Sequence, residues 1–294
     1  MKINKVGVMG FGLMGSGIAQ VSAQSGYETI VKEVDQKFID KGFKQIDGLL
    51  KRGVEKGKIT QDRKENILRK ISGTTQMEKL RDCDLIIEAI TEDMQLKKEL
   101  FKELDRICKK DCILASNTSS LVITEMAVVT SRPEKFVGLH FFNPVPVMNL
   151  VEVVKTILSS TETFSAAYDF IKSLGKVPIV AKDTSGFLVN RLLNPYLLDA
   201  IRAVEEGWAS VEDIDNAMKL ACGYPMGPLT LLDFVGLDTV YRASCVYYEE
   251  YKDNKYAPPP LLKKMVLAGY HGRKTGKGFY EYTVDPPRAC QFTT

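Results

Sequence analysis

Three glycines that follow an apolar run near the start of this 294-residue chain constrain its fold more than any other feature. The run at residues 5–9 is a predicted strand, and Gly10-Phe11-Gly12-Leu13-Met14-Gly15 leads from it into a predicted helix. In that position the first glycine permits a tight turn, the second lets a pyrophosphate approach the backbone, and the third lets helix and strand pack closely. The motif predicts a dinucleotide site at the helix N-terminus, although glycines also serve tight turns that hold no ligand.

A carboxylate about 20 residues beyond the first glycine accepts hydrogen bonds from the adenosine ribose in such folds. Glu33 stands at the end of the second predicted strand, and Asp35 is a second candidate. Either residue is also explained as an ordinary surface charge. A carboxylate here repels a 2′-phosphate and favours NAD over NADP, although the nearby Lys32 and Lys37 weaken that argument. We therefore expect NAD as the cofactor.

The first half of the chain alternates apolar, strand-like runs with amphipathic helical stretches, which is typical of βαβ units and a parallel sheet. The first helix begins near Met14 and ends before Gly26. Helical periodicity over residues 36–70 predicts a helical hairpin between the second and third strands. The predicted strands cover residues 5–9, 29–33, 85–89, 113–116, 136–140, 151–154 and 178–181.

Past Lys182 the strand signals stop, and helical periodicity covers residues 188–206 and 211–221. We predict an α/β fold in two domains, the number that the chain length also suggests. Residues 1–183 form a Rossmann-like, doubly wound, mainly parallel sheet with the inserted hairpin, and residues 184–294 form an all-helical domain. The tail after Tyr282 shows no periodicity and is predicted to be a loose end.

Composition limits the partners and the compartment. The net charge of +3 is too small for a nucleic-acid-binding surface, and no apolar run approaches the roughly 20 residues that span a bilayer. The six cysteines include no CxxC pair and no histidine at ligand spacing, so we expect reduced thiols and no metal. The opening segment resembles neither a signal peptide nor a transit peptide, which leads us to expect cytoplasm or mitochondrial matrix.

The chain has only two histidines, which limits the choice of an imidazole base. His140 ends a predicted strand, and ligands of open α/β sheets bind beyond the carboxyl ends of strands. Glu152, on the next strand, is a candidate to hold the second ring nitrogen, which would leave a neutral imidazole able to take a proton near pH 7. A buried histidine with a purely structural role is the alternative. His271 is predicted to lie in an exposed loop.

Two further polar groups have both a structural and a functional explanation. The hydroxyl groups of residues 116–120 follow a strand and precede a helix, so they are candidate helix caps. Alternatively, Asn117 and Ser119 face a nicotinamide and a substrate carbonyl. Asn190 lies in an otherwise apolar helical stretch, where asparagine is intrinsically disfavoured, and this suggests a specific partner.

Six ordered blocks together resemble the L-3-hydroxyacyl-CoA dehydrogenase family, from about Val6 to Tyr282. They are GFGLMGSGIA (residues 10–19), SNTSSL (116–121), GLHFFNPVPVMNLVEV (138–153), GFLVNRLL (186–193), AMKLACGYPMGPLTLLDFVGLDT (217–239) and GRKTGKGFYEY (272–282). The resemblance implies that His140 is the catalytic base, that Glu152 is its paired carboxylate, and that Ser119 and Asn190 bind the substrate's 3-oxygen. It also implies that Glu33, longer than the usual Asp, binds the ribose, and that five further positions contact NAD: Glu92, Lys97, Asn117, Asn143 and Lys274.

The resemblance further implies that the inserted hairpin binds the CoA phosphates through Lys56, with Lys51, Arg52 and Lys58 adding positive charge. A solvated helix face explains any one of these residues equally well. Two departures from the family pattern are Leu49, where relatives can carry a small polar CoA contact, and Ser185, which replaces a proline before Gly186. A homodimer through the helical domain is also implied, and the apolar residues of the 229–235 segment are consistent with it: Leu229, Leu231, Leu232, Phe234 and Val235.

The expected function is therefore NAD-dependent oxidation of (3S)-3-hydroxyacyl-CoA to 3-oxoacyl-CoA, in fatty-acid β-oxidation or butanoate metabolism. One alternative is a dehydrogenase of a free hydroxy acid on the same fold, which would need no CoA phosphate site. Another is a non-catalytic, crystallin-like structural relative, which would have no need of Ser119, His140, Glu152 and Asn190 together. Acyl-chain length and physiological direction stay open.

Overall fold

The structure, a computed structural model, describes residues 2–292. It divides into two compact units, one extending to Phe187 and the other beginning at Leu188. This division lies slightly beyond the predicted boundary between residues 183 and 184. The predicted fold class is confirmed: the first unit contains a mostly parallel sheet flanked by helices, and the second is mainly helical.

In the described part of the chain, eight strands form one sheet in the order β3-β2-β1-β4-β5-β6-β7-β8. Neighbouring strands are parallel except for β6 and β7, which pair antiparallel. The strands are β1 (Lys5–Met9), β2 (Glu28–Lys32), β3 (Ile71–Thr74), β4 (Leu85–Glu88), β5 (Ile113–Ser116), β6 (Phe136–Phe141), β7 (Leu150–Lys155) and β8 (Val177–Lys182).

Strand β3 was not predicted. Its sequence, Ile-Ser-Gly-Thr, places one buried apolar residue in four, so it lacks the apolar run that marks the other strands. It forms because it extends the edge of the sheet next to β2. An edge strand needs less apolar surface than a central strand, which is covered on both faces.

Helices cover both faces of the sheet, and each face has its own core. One core contains Ile18 of α1 and Phe170 of α6, while the other contains Phe101 of α4 and Met126 of α5. The inserted hairpin is present as α2 and α3. The helices of this unit are α1 (Leu13–Gln24), α2 (Gln36–Glu55), α3 (Gln61–Arg69), α4 (Met94–Ile107), α5 (Ile123–Ala127) and α6 (Thr161–Ser173).

The second unit contains α7 (Val189–Glu205), α8 (Val211–Cys222), α9 (Pro228–Val235), α10 (Leu237–Tyr251) and α11 (Pro260–Leu267). The prediction of a loose tail was wrong in part, because β10 (Arg288–Ala289) pairs antiparallel with β9 (Tyr280–Glu281). A two-residue strand has too little periodicity to be recognised in a sequence. Thr293 and Thr294, also in that predicted tail, lie outside the described residues.

Two buried aspartates connect the parts of the second unit. Asp215 accepts hydrogen bonds from the amides of Leu229 and Thr230, at 2.8 and 3.0 Å, at the start of α9. Asp233 accepts from the amides of Phe279 and Tyr280 at 2.9 and 2.8 Å and from the Tyr282 hydroxyl at 3.0 Å. Asp233 also explains the glycine at position 278, because a Cβ there would lie only 1.9 Å from Oδ1 of Asp233.

The Asp233 carboxyl should make stability fall as pH rises. Burial raises its pKa to about 6, despite the hydrogen bonds that it accepts. The folded chain thus holds this proton more tightly than the unfolded chain, and the resulting stabilisation is lost as pH rises through about 6. Between roughly pH 4 and pH 7, the wild type should lose up to about 3 kcal/mol relative to Asp233→Asn. Urea unfolding across this range measures the difference.

The control is Asp169→Asn, which alters an exposed carboxyl. Its stability should follow that of the wild type at every pH. Parallel stability curves for the wild type and Asp233→Asn would contradict the role assigned to Asp233.

Candidate active site

The glycine turn has the geometry of a phosphate cradle. Gly10 has φ +91°, and a Cβ at Gly15 would lie 1.9 Å from the Gly10 carbonyl oxygen, so the turn and the close packing both require glycine. A Cβ at Gly12 would meet nothing within 4 Å, which leaves open space beside the backbone. No side chain caps the start of α1, so its first amides are available to an anion. These features fit a dinucleotide pyrophosphate.

Glu33 is held against the glycine turn. Its Oε1 accepts from the Phe11 amide at 2.7 Å, and its Oε2 accepts from the Val34 amide at 3.0 Å. Each carboxylate oxygen has a second lone pair, which suits donation by two ribose hydroxyls. Asp35, the other candidate, instead caps α2 by accepting from the Lys37 amide at 2.9 Å. The geometry therefore favours Glu33.

His140 and Glu152 lie directly opposite each other on the antiparallel pair β6 and β7. The imidazole Nδ1 is 2.5 Å from Oε2 of Glu152. Both residues are buried, with 5% and 0% of their surfaces exposed, and the Phe142 ring lies 4.4 Å from the imidazole, centroid to centroid. A carboxylate at Nδ1 favours the tautomer with hydrogen on that atom, which leaves Nε2 as a proton acceptor.

The segment of residues 116–120 lies beside this pair. Oδ1 of Asn117 accepts from the Phe141 amide at 2.9 Å, which connects the segment to the end of β6. The hydroxyl groups do not cap α5, contrary to one of the two explanations from the sequence. Asp183 caps that helix instead, accepting from the amides of Ile123 and Thr124 at 2.7 Å each.

A buried ionic network holds the segment of residues 116–120 in place. Lys97, only 1% exposed, places its Nζ 2.5 Å from Oε1 of Glu88 and 3.3 Å from Oε2 of Glu92. Glu88 also accepts from the Ser116 hydroxyl at 2.5 Å. Glu92 accepts from the Ser119 amide at 3.2 Å. Lys97 therefore joins the two carboxylates that hold the beginning and the end of the segment.

The environment of Glu92 keeps its carboxylate charged. Desolvation alone would raise its pKa, but the positive charge of Lys97 outweighs this effect, together with hydrogen bonds from Thr118, Ser119 and Ser120. The pKa of Glu92 consequently lies below its ordinary value. A charged Glu92 can accept the hydrogen bonds that order the segment.

Glu88 was not among the site residues predicted from the sequence. It is fully buried at the carboxyl end of β4, in the run Leu-Ile-Ile-Glu. A lone acidic residue at the end of an otherwise apolar, central parallel strand was the available signal. Buried carboxylates are rare unless they are paired.

The remaining predicted residues lie on other elements of the two units. Asn143 is exposed just after β6, and Lys56 is exposed at the end of α2. In the second unit, Lys274 forms an ion pair with Asp238, and Asn190 lies in the first turn of α7, where the penalty for asparagine inside a helix does not apply. His271 is half-buried rather than exposed, with Nε2 3.2 Å from the Val266 carbonyl oxygen.

The structure of residues 2–292 also bears on metal binding and on membrane insertion. No group of three or more His, Cys, Asp or Glu side chains there could hold a metal ion, and the six cysteines are free. None of the helices in this part of the chain is long and apolar enough to cross a membrane.

Comparison with known proteins extends these observations. A family model of the NAD binding domain of 3-hydroxyacyl-CoA dehydrogenase matches residues 5–184, and a model of the C-terminal domain matches residues 186–282. Together with the fold and the glycine turn, these two matches define the protein as a dehydrogenase with an NAD-binding Rossmann-like domain. The chain belongs to the 3-hydroxyacyl-CoA dehydrogenase family, which confirms the family and enzyme class predicted from the sequence.

Individual relatives match along almost their whole length. A probable 3-hydroxybutyryl-CoA dehydrogenase of Deinococcus radiodurans is 49% identical over 278 residues, which cover 95% of this chain and 100% of the relative. A 3-hydroxybutyryl-CoA dehydrogenase of Clostridioides difficile is 50% identical, covering 95% and 99%. The crystal structure of (S)-3-hydroxybutyryl-CoA dehydrogenase PaaH1 from Ralstonia eutropha is 44% identical, has a TM-score of 0.93, and covers 96% and 99%.

The buried network gives a stability prediction. Glu88→Gln leaves the Lys97 ammonium buried without its nearest carboxylate, which should cost roughly 3–5 kcal/mol of unfolding free energy. The double variant Glu88→Gln/Lys97→Met removes the closest ion pair but leaves the Glu92 carboxylate without its cation, so it should recover only part of the loss. Glu125→Gln breaks the more exposed Lys98 pair and should cost less than about 1 kcal/mol. Urea unfolding measures all three, and equal losses for Glu88→Gln and Glu125→Gln would contradict the network.

Proposed function

We propose that this protein interconverts (3S)-3-hydroxyacyl-CoA and 3-oxoacyl-CoA with NAD, and that His140 is the base. The observation that carries the proposal is the buried His140–Glu152 pair at the carboxyl end of β6. The substrate class comes from the family, and we also propose a preference for short acyl chains, because relatives are named 3-hydroxybutyryl-CoA dehydrogenases. β-Oxidation and butanoate metabolism both contain such a step.

His140 moves the proton. With Nδ1–H donated to Glu152, the lone pair of Nε2 takes the proton of the 3-hydroxyl group as the alcohol is oxidised. Glu152 stabilises the imidazolium that forms, and in the reverse direction His140 returns the proton to the 3-oxygen. NAD, when bound, supplies the hydride acceptor. Ser119 and Asn190 are proposed to donate hydrogen bonds to the 3-oxygen, where negative charge develops.

The cofactor contacts are also proposals. The backbone of residues 10–15 would hold the pyrophosphate, and Glu33 the adenosine ribose. Glu33 favours NAD because its carboxylate would repel a 2′-phosphate. Glu92, Lys97, Asn117, Ser119, Asn143 and Lys274 complete the proposed set, with Lys97 acting through the carboxylates that it joins.

The CoA-binding residues and the homodimer are proposed from the same family resemblance. Lys56 is exposed at the end of α2, and Lys51, Arg52 and Lys58 are exposed in the same stretch, a placement suited to CoA phosphates. We propose a homodimer through the helical unit, Leu188 onward. Leu229 and Leu232 are buried in the core of that unit, which leaves Phe234 and Val235 as the exposed members of the segment.

Replacement of His140 tests the proposed chemistry. His140→Ala should lower kcat for NADH-dependent reduction of acetoacetyl-CoA by about 10²- to 10⁴-fold, because the proton-transfer group is lost. Glu152→Gln should also lower kcat, since it no longer favours the Nδ1–H tautomer. His271→Gln, which alters the chain's other histidine, is the matched control and should keep wild-type turnover. Near-normal turnover by His140→Ala would refute the assignment.

Substrate comparison tests the CoA handle. Wild type should reduce acetoacetyl-CoA with NADH far faster than free acetoacetate, and NADPH should support little activity. Lys56→Ala should raise KM for acetoacetyl-CoA with little change in kcat, because the phosphates lie far from the reacting carbon. Equal rates with the ester and the free acid would exclude any use of the CoA handle and favour a hydroxy-acid dehydrogenase.

A further inference from the structure

Lys176 is a buried lysine outside the site described above. It immediately precedes β8, it is only 8% exposed, and no carboxylate among residues 2–292 forms an ion pair with it. Its Nζ donates to the carbonyl oxygens of Val145 and Met148, each at 2.7 Å. Burial lowers the pKa of this ammonium. An unpaired buried cation is costly, which makes its retention informative.

Both carbonyl groups belong to the loop of residues 142–149, which joins the strand of His140 to the strand of Glu152. The adjacent Val177 amide donates to the Asn149 carbonyl oxygen at 2.8 Å, so Lys176 and its neighbour hold this loop at three carbonyl groups. The amides of Val147 and Met148 in turn donate to the Pro144 carbonyl oxygen, each at 2.9 Å. The loop is therefore folded on itself and attached to Lys176 and Val177.

The same loop also packs on α1, the helix that follows the glycine turn. Val145 is 2% exposed, and a Cβ at Gly17 of α1 would lie 2.7 Å from its Cβ. The loop thus contacts both α1 and the ammonium of Lys176. Asn143, which the proposed function places against NAD, is two residues before Val145.

We infer that Lys176 is a positioning residue for the reaction: it fixes the loop that carries Asn143 and sets the ends of the His140 and Glu152 strands. This inference rests on the proposed function. Lys176 itself touches neither base nor carboxylate, so it acts through the loop. A misplacement of about 1 Å at a reacting group can cost about 10²-fold in rate, so a modest loosening of the loop should be measurable.

Lys176→Met tests the inference, because it keeps the length of the side chain and removes its donors and its charge. Amide hydrogen exchange in the peptide covering residues 142–149 should accelerate, NADH should bind about 10-fold more weakly, and kcat should fall about 10- to 100-fold. Lys176→Arg retains charged donors and should lie closer to wild type in all three measurements. Lys172→Met, at an exposed lysine on α6, is the matched control and should behave as wild type.

A purely structural role for Lys176 predicts a different result. It would lower the melting temperature of Lys176→Met while leaving exchange at residues 142–149 and the dissociation constant for NADH unchanged, and that result would overturn the inference. Equal effects of Met and Arg on exchange and NADH binding would also overturn it. If Lys176→Met does not fold, Lys176→Gln takes its place under the same criteria. Exchange and NADH binding need no acyl substrate, so a wild type inactive on acetoacetyl-CoA would refute the proposed function separately.

Discussion

The antiparallel pairing of β6 and β7 is the constraint on which the proposed site depends. Strands β1–β6 are parallel to one another, with their carboxyl ends at one edge of the sheet, and β7 and β8 run in the opposite direction. In this one pair, reversal of the chain brings the first part of β7 beside the last part of β6, and the register places Glu152 opposite His140. Residues twelve positions apart in the sequence become cross-strand neighbours, because directly opposed side chains lie on the same face of a sheet.

Burial of His140 and Glu152 strengthens the interaction between them. A carboxylate with no exposed surface stays favourable only when its oxygens are hydrogen-bonded, and Nδ1 of His140 meets one of them. The Glu88–Lys97–Glu92 network follows the same rule beneath residues 116–120, and Lys176 follows it beside residues 142–149. Lys97 is paired with two carboxylates that accept hydrogen bonds from residues 116–120, and Lys176 donates directly to the loop that it holds. The polar groups of the first unit therefore order its loops as well as its proposed chemistry.

Sequence reasoning found most of the fold because its signals were local. The glycine turn, the alternating strands and the inserted hairpin all depend on short-range periodicity and on glycine geometry. It missed β3, whose pairing comes from its place at the sheet edge, and the short β9–β10 ribbon, whose stability comes from neighbouring segments. It predicted the pairing of His140 with Glu152 as a hypothesis only, since antiparallel register is a long-range property. Asp183 and Lys176 were missed because their partners are distant backbone groups that no local pattern reveals, whereas Glu88 had a local signal, its place as the one acidic residue of an apolar strand.

The most direct test of this account is the tautomer of His140. Nitrogen-15 NMR of the histidine side chains distinguishes a protonated Nδ1 from a protonated Nε2, and with two histidines in the chain the His271→Gln variant assigns the signals. Neutral His140 should carry its hydrogen on Nδ1, facing Glu152, and Glu152→Gln should weaken this preference. A neutral His140 protonated on Nε2 in the wild type would contradict the proposal that this nitrogen is the base.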